Sequence, residues 1–426
     1  MPPIEDHPLR YQLVNELHAR PFPTLNVPCT AVFLAIKQPV EAASRDQSAD
    51  RAHLIDLLDR HGAPHPQPGA NHYFGKIGRH TLKWESHTEF VTYTVFTGGQ
   101  SERAFDPADF GIFPDDWLAC APGARITSAL IRVSESQGDD QIQRDTSDWF
   151  VAESVAIASV LDNAAIIAGD FRIDDAGHSR FTVSASKGTG ARRVGRIVQR
   201  ICEIETYKAM SMLGFSRILQ MTGRMGEIDR DLTRLISEMS SEDRPAEDTL
   251  SRLLKLSAEL EQMVSDAAFR FSATAAYERI VSQRIQVLRE ERFRGQQIFS
   301  EFMMRRYEPA MRTVRSTNER LNAMADRAMR AGELLRTRVD VERSAQNQAV
   351  LESMDRRADM QLRLQTTVEG LSVVAISYYA VSLAGYLLFP LAGPLGLSKG
   401  YITAAVTLPM IVLVWWMVGR IRNKLH

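Results

Sequence analysis

Three side chains near the N-terminus could do chemistry together. Glu16, His18 and Arg20 bring a carboxyl, an imidazole and a guanidinium within five residues, in a segment predicted as a short helix over residues 11–19. This cluster could contact a ligand or a partner. The alternative is a surface segment docked through its apolar residues, because the spacing matches neither a metal site nor a catalytic triad. We name these three residues as candidate contacts and none as catalytic.

Histidines and cysteines elsewhere form no metal-binding or disulfide pattern. His61, His65 and His72 lie in a turn-rich loop, with no Cys or Asp between them and without the spacing that zinc ligands show on a helix or hairpin. The chain has three cysteines, far apart in sequence, and an odd number fits a reducing compartment. We expect no metal and no cofactor.

A glycine-rich stretch, SKGTGARRVGR, occupies residues 186–196 before a predicted helix. The first N–H groups of a helix can bind phosphate, but this residue order is not that of a P-loop. A junction between a domain and a helix is the simpler interpretation. No nucleophile elbow, zinc motif or dinucleotide fingerprint occurs. An enzyme, for instance one with His18 as general base, is therefore kept only as a hypothesis without a reaction.

The overall charge excludes one class of function. The chain of 426 residues has a net charge of −1, which argues against general binding to nucleic acid. The N-terminus has no basic segment followed by an apolar one, so we expect no signal peptide. The soluble part should then stay in the cytoplasm.

Residues 1–187 are predicted to form one α+β domain. A helix over residues 49–60 places its leucines on one face. The alternating or continuous apolar runs predict strands that pair in an antiparallel or mixed sheet. These runs cover residues 30–36, 80–97, 124–134, 163–173 and 180–186.

Residues 188–368 are predicted to be helical. Apolar residues recur at steps of three and four from Met221 to Met239 and from Leu250 to Leu288, which predicts a coiled coil. An ordinary amphipathic helix on a bundle would give a similar pattern. A third helix beyond Pro309 could continue as a stalk towards the C-terminus. The heptads could pair within one chain or between chains, so we expect self-association, with an unknown protein as a further partner.

The C-terminal region, residues 369–420, contains two long uncharged runs, at about 370–392 and 401–419. Each has the roughly 20 apolar residues that cross a hydrocarbon core about 30 Å thick. Two buried core helices of a soluble protein are the alternative. We predict a transmembrane hairpin, and hence the lipid bilayer as a partner.

The basic residues around these runs predict the orientation. Arg356, Arg357 and Arg363 precede the first run, and residues 421–426 form a basic tail. Lys399 is the only charge in the connecting loop. Because Lys and Arg favour the cytoplasmic side, both termini should be cytoplasmic and the loop external, in a bacterial inner membrane.

Three segments carry a resemblance to a known family. They read HPLRYQLVNELHARPFPTL at residues 7–25, LREERFRGQQIFSEFMMRRYEPAMRT at 288–313, and a longer run from Glu333 to Tyr379. They resemble a bacterial membrane-anchored family known as domain of unknown function 3422. The resemblance covers nearly the whole chain and implies membrane anchoring, but it carries over no catalytic residue or cofactor.

A weaker, architectural resemblance is to the CorA-type channels, which combine an α/β domain, a long helix and a short outer loop. Their Gly-Met-Asn signature is absent from FPLAGPLGLSKGY at residues 389–401. In such a channel the first transmembrane helix would line a pore, and Ser372, Ser377 and Ser382 are the candidate pore-facing residues. Lys399 at the mouth would repel a cation.

Two functional hypotheses therefore lead. The first is a cytoplasmic scaffold, sensing or interaction protein tethered to the inner membrane. The second is a CorA-like oligomeric channel or transporter without the usual signature. The first requires only features that the sequence displays, and we prefer it.

Overall fold

The computed structural model describes residues 4–11, 13–14, 22–40, 42–239, 245–391 and 398–425. The chain divides into two compact units. The first contains residues 1–241 and 251–331, and the second contains residues 242–250 and 332–426.

A nine-stranded sheet forms the N-terminal part of the first unit. Its strand order is β2-β3-β4-β1-β5-β8-β7-β6-β9, and all neighbours are antiparallel except β5 and β8, which are parallel. The predicted mixed sheet is therefore confirmed. The strands are β1 (Cys29–Lys37), β2 (His72–Ile77), β3 (His80–Ser86), β4 (Phe90–Gly98), β5 (Ala124–Glu135), β6 (Ala156–Val160), β7 (Ala165–Ile173), β8 (Ser179–Ala185) and β9 (Glu291–Arg292).

One face of the sheet packs against short helices and forms the main core. Alternate strand residues such as Val32, Trp84 and Tyr93 point to this face, as the two-residue period of a strand requires. Helix residues Leu57 and Trp117 cover them and are fully buried. The helices around this core are α1 (Gln47–Arg60), α2 (Asp115–Ala119) and α3 (Asp139–Trp149).

The opposite face of the sheet is covered by a 48-residue helix, α4 (Ala191–Glu238), which contacts β1, β5 and β8. Its buried Ile197, Val198 and Ile201 lie near its start. The predicted domain junction at residues 186–196 therefore leads directly into a helix that completes the sheet's second layer.

Two further helices pack beside α4 in the first unit. They are α5 (Ala246–Gln286) and α7 (Glu308–Leu388), which both also contribute residues to the second unit. Ion pairs Arg224–Glu259 and Arg252–Glu238 show that α4 and α5 run antiparallel. Asp229 of α4 pairs with Arg320 and Arg327 of α7.

The predicted apolar frames face the interior of this helical packing. Met225, Leu232 and Leu260 are almost fully buried within one chain. The regular inter-helical geometry of a coiled coil is not confirmed; the three helices of the first unit bury the frames as a bundle. Self-association through the same positions remains a prediction.

The segment between α5 and α7 returns to the sheet. Strand β9 pairs with β6 at its edge, and Phe293 joins the main core. Helix α6 (Phe299–Arg306) follows, with Phe299 fully buried. The sheet and its core thus include residues well beyond 187, since this segment supplies an edge strand and aromatic side chains. Local sequence patterns do not predict either contribution.

The second unit contains the two apolar stretches, the last part of α7 and α8 (Lys399–Leu425). Both stretches are long and apolar enough to cross a membrane by length and composition. Only 11% of the first and 6% of the second is buried, with Leu383, Leu387 and Leu408 all largely exposed. They are therefore not core helices covered by this chain, as the soluble alternative would require.

Glycine replacements in α4 test the helical packing of the first unit. A Cβ at Gly214 would overlap the side chain of Thr274 on α5, whereas a Cβ at Gly223 would meet nothing within 4 Å. We expect Gly214→Ala to lower the free energy of unfolding by about 1–3 kcal/mol through overpacking. Gly223→Ala should raise it by about 0.5–1 kcal/mol through helix propensity. Urea denaturation followed by circular dichroism measures both, and equal effects of the two variants would contradict this packing.

Candidate functional site

A cavity of about 300 Å³ lies between the sheet and α4 in the first unit. Strands β1, β3 and β4 form its floor, α4 its roof, and Arg284 of α5 closes one side. Its volume is at the lower end of the range for small-molecule sites, about 300–1,000 Å³. The lining residues are Phe22, Pro23, Phe33, Lys83, Glu85, His87, Phe90, Thr92, Thr94, Phe96, Gln199, Arg200, Cys202, Glu203, Thr206, Tyr207 and Arg284.

The strand period explains why polar residues meet here. On β3, Leu82 and Trp84 belong to the main core. Because side chains alternate along a strand, Lys83 and Glu85 point to the opposite face of the sheet. Directly paired residues share a face, and Lys83 lies opposite Thr94 of β4. The face covered by α4 therefore carries a row of charged and hydroxyl side chains, which prevents close apolar packing at this point.

Lys83 is the most unusual residue of the cavity. It is only 4% exposed, and lysine is almost never fully buried unless paired. Its Nζ lies 3.0 Å from Glu85 Oε2 in an ion pair, but no residue that the structure describes accepts a hydrogen bond from it in proper geometry. An ammonium has three N–H donors, so Lys83 retains capacity for an acceptor in a ligand.

Glu203 of α4 is the second charged centre. Gln199 Nε2 donates to its Oε1 at 2.9 Å, while Arg200 and Arg284 approach its Oε2 at 3.1 and 2.5 Å. Two guanidiniums thus share a single carboxylate. The Oε1 of Gln199 is buried and accepts no hydrogen bond from any residue in the described part of the chain.

A short strap, residues 22–25, lies beside α4, and its Phe22 and Pro23 line the cavity. Phe22 lies under the guanidinium of Arg200, with 5.3 Å between the guanidinium carbon and the ring centroid. The Leu25 N–H donates to the Ala191 carbonyl at 3.1 Å. A Cβ at Gly195 would overlap the Pro23 carbonyl, so the strap lies directly on the helix backbone, which only glycine allows here.

The turn between β3 and β4 positions the far wall. Arg45, buried, donates to the carbonyls of His87 and Phe90 at 2.6 and 3.1 Å and fixes this turn. Glu89 in the same turn pairs with Arg270 of α5 and accepts a hydrogen bond from Tyr277 at 2.9 Å. The turn and α5 are therefore held together by buried charges.

The thiol in the cavity does not have the character of a nucleophile. Cys202 is 6% exposed, and burial raises the pKa of its thiol, which keeps it protonated, whereas the thiolate is the reactive form. The buried Ser128 hydroxyl and His178 Nδ1, 2.9 Å apart, lie outside the cavity, and the same hydroxyl is 3.1 Å from the Gly177 carbonyl. The cavity instead suits binding of a small organic anion, with acceptors for Lys83 and the guanidiniums and an apolar body for the aromatic walls.

The residues predicted as ligand contacts lie outside this description. Glu16, His18 and Arg20 are not among the described residues. Phe22 and Pro23, which follow them in the same family-like segment, do line the cavity. The cavity residues on β3, α4 and α5 were not predicted; a lysine alternating with core residues on a strand was the one available signal.

The candidate pore-facing serines do not share a face of α7. Residues five apart on a helix differ by about 140° in direction, and the burial agrees with this. Ser377 is 6% exposed, whereas Ser372 is exposed and donates to the Val368 carbonyl at 2.8 Å. Ser382 donates to the Tyr378 carbonyl at 2.9 Å.

Two histidines of the turn-rich loop, His65 and His72, contact polar side chains close to them in sequence. His65 Nε2 lies 2.5 Å from Asp59, and His72 Nδ1 lies 2.9 Å from the Asn71 side chain. Within the described residues, no group of three or more His, Cys, Asp or Glu side chains is arranged to hold a metal ion.

Comparison with known families decides the relationship. A family model described as "Protein of unknown function (DUF3422)" matches residues 5–425. The chain belongs to the DUF3422 family. A comparison of this DUF3422 chain with curated proteins found no match. Neither comparison supports the weaker resemblance to CorA-type channels.

Thiol reactivity tests the burial of Cys202 in the wall of the DUF3422 cavity. Cys120 is exposed, while Cys29 and Cys202 are buried. Burial raises the pKa of Cys29 to about 12 and also raises the pKa of Cys202. Both therefore remain thiols in mildly alkaline buffer. We expect a disulfide reagent to modify Cys120 rapidly in the native protein and the other two only after denaturation. Rapid native modification of Cys202, located by mass spectrometry, would contradict the burial of this thiol beneath the cavity walls.

Proposed function

We propose that this DUF3422 chain is a membrane-tethered binding protein that senses a small organic anion with an apolar body. The observation that carries the proposal is the buried Lys83 ammonium in a cavity with spare hydrogen-bonding capacity. Buried hydrogen-bond donors that find no acceptor cost free energy, and a ligand acceptor would offset this cost. The aromatic walls supply the apolar contact that pockets of this size normally provide.

The charge of the cavity favours an anion over a cation. Its lining contains three lysine and arginine side chains, Lys83, Arg200 and Arg284, against two carboxylates, Glu85 and Glu203. The two guanidiniums share Glu203, and guanidinium groups bind carboxylates with well-directed hydrogen bonds. A ligand carboxylate would restore one acid for each base.

The tether is supported by the exposed apolar helices of the second unit. Large side chains such as Tyr379, Leu387 and Trp415 are about 70% exposed in the chain. Contact of such an apolar surface with water is unfavourable. The basic residues before the first stretch and after the second favour cytoplasmic ends. We place the chain in a bacterial inner membrane, with both termini and the anion-binding domain in the cytoplasm.

Sensing is favoured over a scaffold role by the cavity itself. A scaffold needs only surfaces, whereas a concave site that combines aromatic walls with a few convergent charged groups is expected where a small ligand binds. For a CorA-like channel we find no specific support, since the candidate serines of α7 point in different directions.

Matched aromatic probes test the binding function. The intact chain in zwitterionic lipid nanodiscs is dialysed against naphthoate or neutral naphthylmethanol. Hydrogen bonds to charged groups contribute roughly 1.5–3 kcal/mol, so we expect naphthoate to bind at least about tenfold more tightly. Arg284→Gln should remove most of this preference without weakening the neutral probe.

Arg279→Gln is the control for that experiment, because Arg279 is exposed on the same helix and does not line the cavity. It should bind naphthoate as the parent chain does. Circular dichroism verifies that both variants are folded. Equal binding of the charged and neutral probes, or no binding of either, would refute the proposed function.

Cysteine labelling tests the orientation. Lys399→Cys introduces a thiol at the first residue of α8, on the side that we expect to face outwards, while exposed Cys120 should face the cytoplasm. A membrane-impermeant maleimide should label the introduced thiol in intact spheroplasts and Cys120 only after permeabilisation. Labelling of Cys120 in intact spheroplasts would place the binding domain outside the cell.

A further inference from the structure

An open groove of about 820 Å³ adjoins the cavity on the same face of the sheet. Phe22 and Phe96 belong to the walls of both, so the two spaces are neighbours on either side of these rings. The lining of the groove also includes Lys76 and Thr81 of the sheet and Arg192 and Arg196 of α4.

The strand register places the groove next to the cavity. Lys76 pairs with Thr81, and Thr81 with Phe96, in one cross-strand row. Lys83 and Thr94 form the row two residues away, a displacement of about 7 Å along the strands. Both rows lie on the face opposite the main core, so one elongated molecule can contact both.

Helix α4, which covers the cavity, also continues along the groove. Arg192, Arg196 and Arg200 follow one another at steps of four residues on α4, and residues four apart share a helix face. Each step advances about 6 Å along the axis. Arg200 belongs to the cavity, and the other two belong to the groove. Guanidiniums therefore line the path from cavity to groove at intervals of one helical turn.

The groove carries a basic charge that no acidic residue of its described lining balances. Its lining contains Lys76, Arg192 and Arg196 and no acidic residue. None of the three forms an ion pair with a residue that the structure describes, although the whole chain has a net charge of −1. Cavity and groove together bring six basic residues against two acidic ones. Such a local excess attracts negative charge.

We infer that the groove receives the second anionic group of an elongated ligand whose first anionic group lies in the cavity. The ligand class is an organic dianion with an apolar middle that passes Phe22 and Phe96. The helix steps set the separation of its charged ends at about 6–12 Å. This inference rests on the proposed function, because the cavity supplies the first contact.

A pair of aliphatic acids of equal length tests the inference. Nonanedioate has a carboxylate at each end, and nonanoate has one. Equilibrium dialysis uses the intact chain in zwitterionic nanodiscs, with empty nanodiscs as the blank for partitioning. An exposed charge pair contributes up to about 1 kcal/mol, or roughly fivefold in affinity, so nonanedioate should bind about fivefold more tightly than nonanoate.

Arg196→Gln and Arg193→Gln form the matched pair of variants. Both positions are exposed on α4, but only Arg196 lines the groove. Arg196→Gln should weaken nonanedioate binding about threefold to fivefold and leave nonanoate unchanged, whereas Arg193→Gln should change neither. Adding an anionic phospholipid to the nanodiscs should leave the preference for nonanedioate intact.

The outcomes separate the two proposals. Equal binding of the two acids, together with selective binding of naphthoate, would reject the second anionic contact and keep the anion-binding cavity. Loss of the preference in anionic nanodiscs would assign the groove to lipid headgroups and also reject it. Failure of all three acids to bind would reject both.

Discussion

Burial of the Lys83 ammonium between a sheet and a helix is the constraint on which this region of the fold depends. The two-residue period that places Leu82 and Trp84 in the main core turns Lys83 towards α4. Covering a charge without compensation is costly, so the helix cannot close on this part of the sheet as it does beside β5 and β8. A cavity with one acid beside the lysine is the result.

The second charged centre joins elements that are distant in sequence. Glu203 on α4 holds Arg284 on α5, and the same α5 binds Glu89 in the β3–β4 turn through Arg270 and Tyr277. The walls of the cavity are thus linked to the helical bundle by partly buried ion pairs and not only by apolar contact. A carboxylate that entered between Arg200 and Arg284 would compete with Glu203 and change the charge balance at the α4–α5 contact.

Local patterns predicted much of the fold and little of the site. Strand β1, helix α1 and the apolar C-terminal stretches were recognisable because each is set by its own periodicity or length. The cavity was not, since Phe22, Lys83, Glu203 and Arg284 come from four separate elements. From the sequence alone, Lys83 on an alternating strand would be assigned to the solvent-facing side. Only the structure shows that α4 covers that side. Strand β9 was missed because two exposed residues form a strand only when β6 lies beside them.

The chemistry of the cavity is that of recognition and not of bond making. A nucleophile needs a raised population of its reactive form, and burial shifts the pKa of Cys202 in the opposite direction. The charged groups each lie beside an opposite charge of the protein, Lys83 beside Glu85 and the guanidiniums beside Glu203, which holds them in place before a ligand arrives. Preorganised charges lower the cost of binding. A cavity of this kind gains affinity from a complementary anion without transforming it, as a sensing domain requires.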